Sequence, residues 1–190
     1  YNNPETVYMH CHHEPRGVWW QRIKHYVTVN KVDRVHEIFG RKLYHYAHMS
    51  DIVRMQMLIE HGGIYLDIDT ITLRSFAPLL RHKCVLAYQD TPGKREDFDY
   101  YGICNAIMLS EPNSLFMREW LKTYSSFDSK GRDDNWDYHS VIVPYLLSRE
   151  SHVFEDDLTV LDNKAFFWPG WNSMNNLFLD TGSVVNLHSF

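Results

Sequence analysis

Apolar positions recur at two spacings along this chain, and the spacings predict alternating helices and strands. Four apolar side chains at three-to-four-residue intervals predict a helix over residues 44–61. Gly62 and Gly63 end that helix, because glycine accepts the left-handed backbone conformation needed past a helix C-terminus. The apolar face of this helix carries Ile52, Met55, Leu58 and Ile59.

Other short apolar runs, bounded by polar or glycine-containing segments, complete the predicted order of elements. The predicted strands span residues 5–12, 31–39, 64–69, 83–89 and 103–110, with strands in the segments 153–161 and 183–190. The other predicted helices span residues 17–26, 113–127 and 136–150. Residues 90–102 are polar with Pro and Gly and are predicted to form a mobile flap. Alternation of strands and helices predicts an α/β domain with a mostly parallel sheet, whose ligands bind at the carboxyl ends of strands.

Composition narrows the class of protein without changing this picture. The chain has 190 residues, of which 44% are hydrophobic and 23% charged, as expected for one globular domain with a real core. A net charge of −5 argues against a nucleic-acid partner, since a phosphate backbone calls for a basic face. The three cysteines have no CxxC spacing and predict neither a zinc ribbon nor a disulfide framework. Because the chain begins at Tyr1, we expect it to be a trimmed segment.

Four ionisable residues stand in otherwise apolar segments on both sides of the glycine pair. Asp67 and Asp69 alternate with apolar residues, so in a strand they share one face and lie about 6.6 Å apart along the chain. That spacing suits a divided task, in which one carboxylate binds a hard divalent cation and the other accepts ligand hydroxyls. Asp51 and Arg54 are three residues apart and share one helix face. A helix followed by Gly-Gly and a strand brings these four groups toward each other.

The whole stretch "SDIVRMQMLIEHGGIYLDIDT" closely resembles the signature of the DXD-containing sugar transferases. This group, similar to glycosyltransferase family 32, includes α-1,4-galactosyl- and α-1,4-N-acetylglucosaminyltransferases, fungal initiating mannosyltransferases and, more remotely, the clostridial glucosylating toxins. The resemblance continues into "ICNAIMLSEPNSLF" and covers about residues 30–120. The matching positions of the signature are Ser50, Asp51, Arg54, Gly62, Gly63, Tyr65, Asp67 and Asp69.

The resemblance implies a single catalytic domain over residues 1–190, of GT-A fold with a Rossmann-like sheet, lacking the family's first strand. It implies transfer of a hexose from a UDP-sugar or GDP-sugar donor to a glycan, glycolipid or protein acceptor, with retention of configuration. In such a site Asp69 would bind Mn²⁺ or Mg²⁺ together with the diphosphate, and Asp67 would contact the ribose or the sugar. Asp51 and Arg54 would hold sugar hydroxyls. Eukaryotic relatives work in the Golgi lumen, with the cytoplasm as the alternative.

Three further residues are expected at the site by the same resemblance. Tyr65 belongs to the signature, and Asn105 matches an asparagine that the family places on a later strand. A third metal ligand near the C-terminal end is expected in GT-A enzymes, and His188 is the candidate because neutral imidazole binds Mn²⁺.

Two functions from other classes stay open at this point. "IYLDIDT" also fits a haloacid-dehalogenase-like phosphatase, in which Asp67 is the nucleophile, Asp69 the general acid and Mg²⁺ the cofactor. The acidic run 155–157 would then complete the metal site, with Lys130 or Lys164 as the lysine, but Arg54 would have no role. The other alternative is a binding module that holds a nucleotide-sugar without turnover.

Other candidate ligand residues carry weaker expectations. In "HCHH", residues 10–13, alternation along a strand points the four side chains to two faces, which disfavours a zinc site. Trp19 and Trp20 are expected in the core. Loop tryptophans are better candidates for an acceptor platform: Trp136, Trp168 and Trp171.

Overall fold

The computed structural model describes residues 2–89, 102–150 and 152–167, and helices and strands alternate along them. The helices are α1 Val18–Ile23, α2 Tyr46–His61, α3 Leu115–Thr123, α4 Val143–Glu150 and α5 Asn163–Phe166. The strands are β1 Tyr8–Cys11, β2 Thr28–Lys31, β3 Glu37–Ile38, β4 Arg41–Lys42, β5 Gly63–Leu66, β6 Cys84–Gln89, β7 Gly102–Ser110 and β8 Leu158–Leu161. The predicted α/β class is therefore confirmed.

The main sheet has four strands in the order β5-β7-β6-β8, and it is mixed. Strand β7 runs antiparallel to both β5 and β6, whereas β6 and β8 are parallel. The prediction of a mostly parallel sheet was therefore wrong for this sheet. Parallel neighbours need a crossover, usually a helix, and the sequence between β6 and β7 carries no helical pattern. Strands β1 and β2, which are separated by α1, do pair in parallel as a separate two-stranded sheet.

Two predicted strands differ from the observed ones. In place of a strand over residues 31–39, β2 ends at Lys31 and a short antiparallel pair, β3 and β4, follows. The turn between β3 and β4 has positive φ at Phe39 (48°) and Gly40 (76°), which no hydrophobic pattern reveals. The strand predicted over residues 64–69 ends at Leu66, and the next apolar residue, Ile68, is 91% exposed.

The core lies on both faces of the four-stranded sheet. On one face α2, α3 and α4 bury a large apolar cluster, which includes Ile52 and Met55 of the predicted helix face. Leu58 is buried beside them and Ile59 is partly buried. The other face carries a smaller cluster: Leu79, Val85, Ile107 and Leu109, packed by Phe76, Leu161, Phe166 and Phe167.

The remaining predictions concern the tryptophans, the flap and the last strand. Trp20 is buried, but Trp19 is 71% exposed, so its assignment to the core was wrong. A single amphipathic turn buries only one of two adjacent side chains, which explains the difference. The flap was predicted over residues 90–102, and its residues 90–101 lie outside the described part of the chain, while Gly102 begins β7. The predicted strand at 183–190, Trp168 and Trp171 also lie outside it. No helix in the described part of the chain combines the length and the apolar character that a membrane span requires.

Candidate functional site

Gly62 fixes how α2 meets the sheet. Its φ is +69°, and its backbone N–H donates to the Leu58 carbonyl at 2.9 Å. A Cβ at this position would lie 2.6 Å from Cδ of Pro112 and 2.9 Å from the Ser110 carbonyl oxygen. Only glycine allows this approach, so the end of α2 lies against the chain that leaves β7, and α2 continues over β5 and β7. The predicted Gly-Gly helix end is confirmed at this residue.

Arg54 is the centre of the site. It is 6% exposed, and its Nη1 donates to the backbone oxygen of Asn105 at 2.8 Å and to Oδ1 of the same residue at 3.1 Å. The same nitrogen lies 3.2 Å from Oδ1 of Asp67. Its Nε lies 3.7 Å from Oδ1 of Asp51, the i,i+3 partner on α2. One guanidinium therefore connects α2, β7 and the DXD segment.

Asp51 forms the deepest part of the site and is 5% exposed. Its Oδ1 accepts a hydrogen bond of 2.7 Å from the side-chain amide of Asn105. Burial raises the pKa of Asp51, and Arg54 and the Asn105 amide oppose that effect. Asp51 is thus a buried carboxylate with two dedicated partners, rather than half of a helix-surface ion pair.

Tyr65 lies between the two halves of the site. Its hydroxyl donates to Oδ1 of Asp67 at 2.8 Å, and the Arg54 guanidinium lies 4.6 Å from the centroid of its ring. Burial raises the pKa of Tyr65 to about 12, and the neighbouring Asp67 raises it further. The phenol therefore stays protonated at neutral pH and serves as a donor. Tyr65 and Asp67 meet on one face, as strand alternation predicts.

Asp67 and Asp69 lie in a turn that follows β5, not in the strand itself. The Asp67 N–H donates to the Ala106 carbonyl at 2.8 Å, and its own carbonyl accepts from Thr70 N–H at 3.2 Å and from Thr70 Oγ1 at 2.8 Å. The side chain of Asp67 is 30% exposed, while Asp69 is an exposed residue. The two carboxylates are therefore not equivalent, because one is anchored and the other faces solvent.

The donor set in this turn fits a hard divalent cation that shares its coordination with a ligand. Carboxylate oxygens suit Mg²⁺ or Mn²⁺, and Mg²⁺ often uses only one or two carboxylates together with substrate phosphates. Among the described residues, no group of three or more His, Cys, Asp or Glu side chains is arranged to hold a metal. His188 lies outside the described residues. The ring of His10, from the "HCHH" segment, instead lies 3.0 Å from the Asn30 amide nitrogen.

Two residues at the site have roles that sequence reasoning did not assign. Ser50, which the sequence analysis matched to the signature without giving it a role, lies inside the helix, which starts at Tyr46 with His45 as its N-cap. The Ser50 hydroxyl lies 3.2 Å from Nη2 of Arg54, and its carbonyl accepts from Nε at 3.4 Å. The i,i+4 spacing of Ser50 and Arg54 is the signal that could have shown this contact. Cys104, which precedes Asn105 on β7, is the second: burial raises its pKa to about 11, so its thiol stays protonated at neutral pH.

Comparison with known proteins is consistent with this geometry. Residues 3–86 match the family model described as the glycosyltransferase sugar-binding region containing a DXD motif. Glucan organizing enzyme 1 of Cryptococcus neoformans var. grubii is 39% identical over 170 residues, which cover 89% of this chain and 44% of that protein. The uncharacterized protein At4g19900 of Arabidopsis thaliana is 26% identical over 135 residues, covering 70% of this chain and 20% of that protein. No solved structure matches.

The chain thus spans less than half the length of these two relatives. The matched family region contains Asp51, Arg54, Tyr65, Asp67 and Asp69, whereas Asn105 is contributed from beyond it. On these matches the chain is similar to the DXD-containing glycosyltransferases, and its residues 3–86 match the sugar-binding region of that family.

Proposed function

We propose that this chain is the donor-binding catalytic domain of a metal-dependent hexosyltransferase. The observation that carries the proposal is the contact of one buried guanidinium, that of Arg54, with both Asn105 and the DXD turn. The contact ties the buried polar network of Asp51, Arg54 and Asn105 to the turn after β5 that carries the two DXD carboxylates. A nucleotide-sugar requires both parts, since the sugar needs oriented hydrogen-bond partners and the diphosphate needs a counter-charge.

The geometry supports a separate role for each carboxylate. Asp69, which is exposed, would bind Mn²⁺ or Mg²⁺, and the cation would neutralise charge on the departing nucleoside diphosphate. Asp67 is held at Oδ1 by Tyr65 and Arg54, so it would present its carboxylate to ribose or sugar hydroxyls in a fixed orientation. Asp51 and Asn105 would line the sugar pocket beside Arg54.

No residue in this set is proposed as a covalent nucleophile. Tyr65 and Cys104 are held in their protonated forms, with pKa values of about 12 and about 11. The Asp51 and Asp67 carboxylates each accept hydrogen bonds from neighbouring side chains. These residues would bind and orient the donor rather than attack it. Retention of configuration is proposed on the resemblance to the DXD-containing sugar transferases alone.

The wider setting is proposed from the relatives. We propose a GT-A arrangement for the complete catalytic domain, supported by the parallel pair β1–β2 and by the DXD turn at the end of β5. The name of the Cryptococcus relative favours a glucan as acceptor or product, among the glycan, glycolipid and protein acceptors. A Golgi location for a eukaryotic parent protein is part of the same proposal.

The phosphatase alternative is less consistent with the contacts. Its acidic metal pair would come from residues 155–157, but Oδ2 of Asp157 accepts from the Ser114 hydroxyl at 2.7 Å and from the Phe116 N–H at 2.9 Å. Asp157 therefore caps the start of α3 and is not free to bind a metal. Asp67, the required nucleophile, has one oxygen occupied by Tyr65 and Arg54.

The test is a calorimetric titration of UDP-glucose and GDP-mannose into the purified chain, with and without Mn²⁺. We expect one of the two nucleotide-sugars to bind only when Mn²⁺ is present, and Asp69→Asn to abolish that binding. Asp134→Asn, which replaces an exposed aspartate elsewhere, is the matched control and should bind normally. Metal-independent binding, or normal binding by Asp69→Asn, would remove Asp69 from the proposed role.

A further inference from the structure

Thr70 closes the turn that carries the exposed DXD carboxylate. Residues 67–70 form a four-residue turn, with Ile68 and Asp69 at its two central positions. The N–H and the hydroxyl of Thr70 both donate to the Asp67 carbonyl, at 3.2 Å and 2.8 Å. The backbone bond alone is the usual closure of a β-turn, so the hydroxyl bond is an additional constraint at this position.

The acceptor of these two bonds is anchored to the rest of the site. The Asp67 N–H donates to the Ala106 carbonyl of β7 at 2.8 Å. Its Oδ1 accepts from the Tyr65 hydroxyl at 2.8 Å and lies 3.2 Å from Nη1 of Arg54. These contacts come from β5, β7 and α2, so Thr70 bonds to a point that three elements hold in place.

Asp69, by contrast, has little support apart from this closure. Its side chain is exposed and has no hydrogen-bond or ion-pair partner among the described residues. Its apolar neighbours Ile68 and Ile71 are both largely exposed, so packing does not hold this part of the chain. Over residues 68–73, the two bonds of Thr70 are the only hydrogen bonds formed with described residues. The backbone around Asp69 is therefore held on its C-terminal side by Thr70.

We propose that Thr70 is a positioning residue for Asp69, whose hydroxyl fixes the turn so that the Asp69 carboxylate keeps one orientation toward a hard divalent cation. A group that orients a metal ligand without touching the metal typically changes metal affinity about 10–100-fold. Because the bond is made to Asp67, it also keeps the cation ligand in register with the buried part of the site. The role toward the cation rests on the proposed function, whereas the fixing of the turn does not.

The first test measures the order of the turn without any ligand. Thr70→Val removes the hydroxyl and keeps a branched side chain, whereas Thr70→Ser keeps the hydroxyl. Thr72→Val is the matched control, since Thr72 is also half-buried but forms no hydrogen bond with described residues. In the ¹⁵N-labelled 190-residue chain, the order parameter of the Asp69 amide should fall in Thr70→Val alone, from about 0.85 toward about 0.6. An unchanged value in Thr70→Val would overturn the proposal.

The second test measures the response of the same chains to Mn²⁺, alone and with UDP or GDP present. Paramagnetic Mn²⁺ broadens the amide signals of nearby residues, so its stepwise addition reports its affinity for the turn. Thr70→Val should need about tenfold more Mn²⁺ for equal broadening at residues 67–70. Thr70→Ser and Thr72→Val should respond as the unchanged chain does, and Asp69→Asn should lose the response.

The two tests separate failure of this inference from failure of the proposed function. If Asp69→Asn responds to Mn²⁺ as the unchanged chain does, or if no chain responds with either nucleotide, Asp69 is not the cation ligand and the proposed function fails there. The order parameter then still decides whether Thr70 fixes the turn. If Asp69→Asn loses the response and Thr70→Val keeps it, the positioning role of Thr70 is wrong. A loss in Thr70→Val that Thr70→Ser shares would also overturn it, because the hydroxyl would then not be the cause.

Discussion

Asp51 and Asp69 belong to the same candidate site but lie in opposite environments. Asp51 is enclosed by α2 and β7, and its carboxylate accepts from Asn105 and pairs with Arg54. Asp69 lies in the turn after β5 and is exposed. The closed region has its hydrogen bonds in place before any ligand arrives, which reduces the cost of ordering groups on binding. The open region keeps a carboxylate accessible, as a cation and a diphosphate require.

The two regions have different consequences for stability. Groups in the closed region are held by several partners, so their removal leaves buried charges or donors without a partner. A group in the open region remains solvated after its partner is removed. Substitutions in the closed region should therefore reduce both stability and binding, whereas those in the open region should affect binding alone.

The largest expected effect is that of removing Arg54. Arg54→Leu leaves Asp51 without its counter-charge and Asp67 without its ion pair, so we expect a loss of about 3–5 kcal/mol in the free energy of unfolding. Arg54→Lys should recover less than half of it, because lysine lacks the planar fork that contacts Ser50, Asn105 and Asp67 together. Denaturant unfolding measures both.

Arg118→Leu provides the matched control for this prediction. Arg118 lies exposed on α3, and its replacement should change the free energy of unfolding by no more than about 0.5 kcal/mol. Similar losses for the Arg54 and Arg118 variants would show that the network around Arg54 does not stabilise the fold.

The next effect concerns the glycine that joins the two regions. Gly62→Ala combines a positive φ with a Cβ placed 2.6 Å from Pro112 Cδ, so we expect the free energy of unfolding to decrease by about 2–4 kcal/mol. Gly63→Ala is the matched control, since Gly63 also has a positive φ (+106°) but no atom within 4 Å of the added Cβ. It should cost less, because only the backbone strain remains. Equal losses in thermal or denaturant unfolding would mean that the close approach at Gly62 is unimportant.

A buried histidine of the core, His139, predicts a pH dependence of stability. Burial lowers the pKa of His139 to about 4, below the value near 6.5 of an unfolded histidine. The unfolded chain therefore binds this proton first, so stability is fully present above pH 6.5 and falls as the pH decreases toward 4. The free energy of unfolding should decrease by about 2–3 kcal/mol over this pH range, and His139→Phe should remove this pH dependence. The measurement is denaturant unfolding of the original chain and of His139→Phe at several pH values. The same change of unfolding free energy with pH in both would contradict the prediction.

Sequence reasoning predicted the α/β class, the Gly-Gly helix end and the segment that forms the site, because these depend on local pattern. The contact between Arg54 and Asn105 depends on β7 lying beside β5, and sheet order is not encoded in local periodicity. The strand predicted through Asp69 ends at Leu66, and a turn closed by the Thr70 N–H and hydroxyl on the Asp67 carbonyl follows it. The apolar Ile68 in this turn is 91% exposed, so its hydrophobicity was misleading.

The smallest effects on stability are expected in the DXD turn. There, substitutions of the two carboxylates should differ from each other in their effect. Asp67→Asn removes the charge that lies 3.2 Å from Nη1 of Arg54 on a partly exposed side chain, so we expect a loss of about 1 kcal/mol. Asp69→Asn should change the free energy of unfolding by less than about 0.5 kcal/mol, because Asp69 is exposed. Both variants should lose Mn²⁺-dependent binding of the nucleotide-sugar.

Denaturant unfolding and calorimetric titration of the same two variants complete this comparison. A stable Asp69→Asn that no longer binds the donor would show that the open region serves the ligand alone, as its exposure predicts. If Asp69→Asn were as destabilising as Asp67→Asn, Asp69 would have a structural role. The division between a closed, structural region and an open, ligand-binding region would then have to be placed beyond the DXD turn, on residues that follow it in the chain.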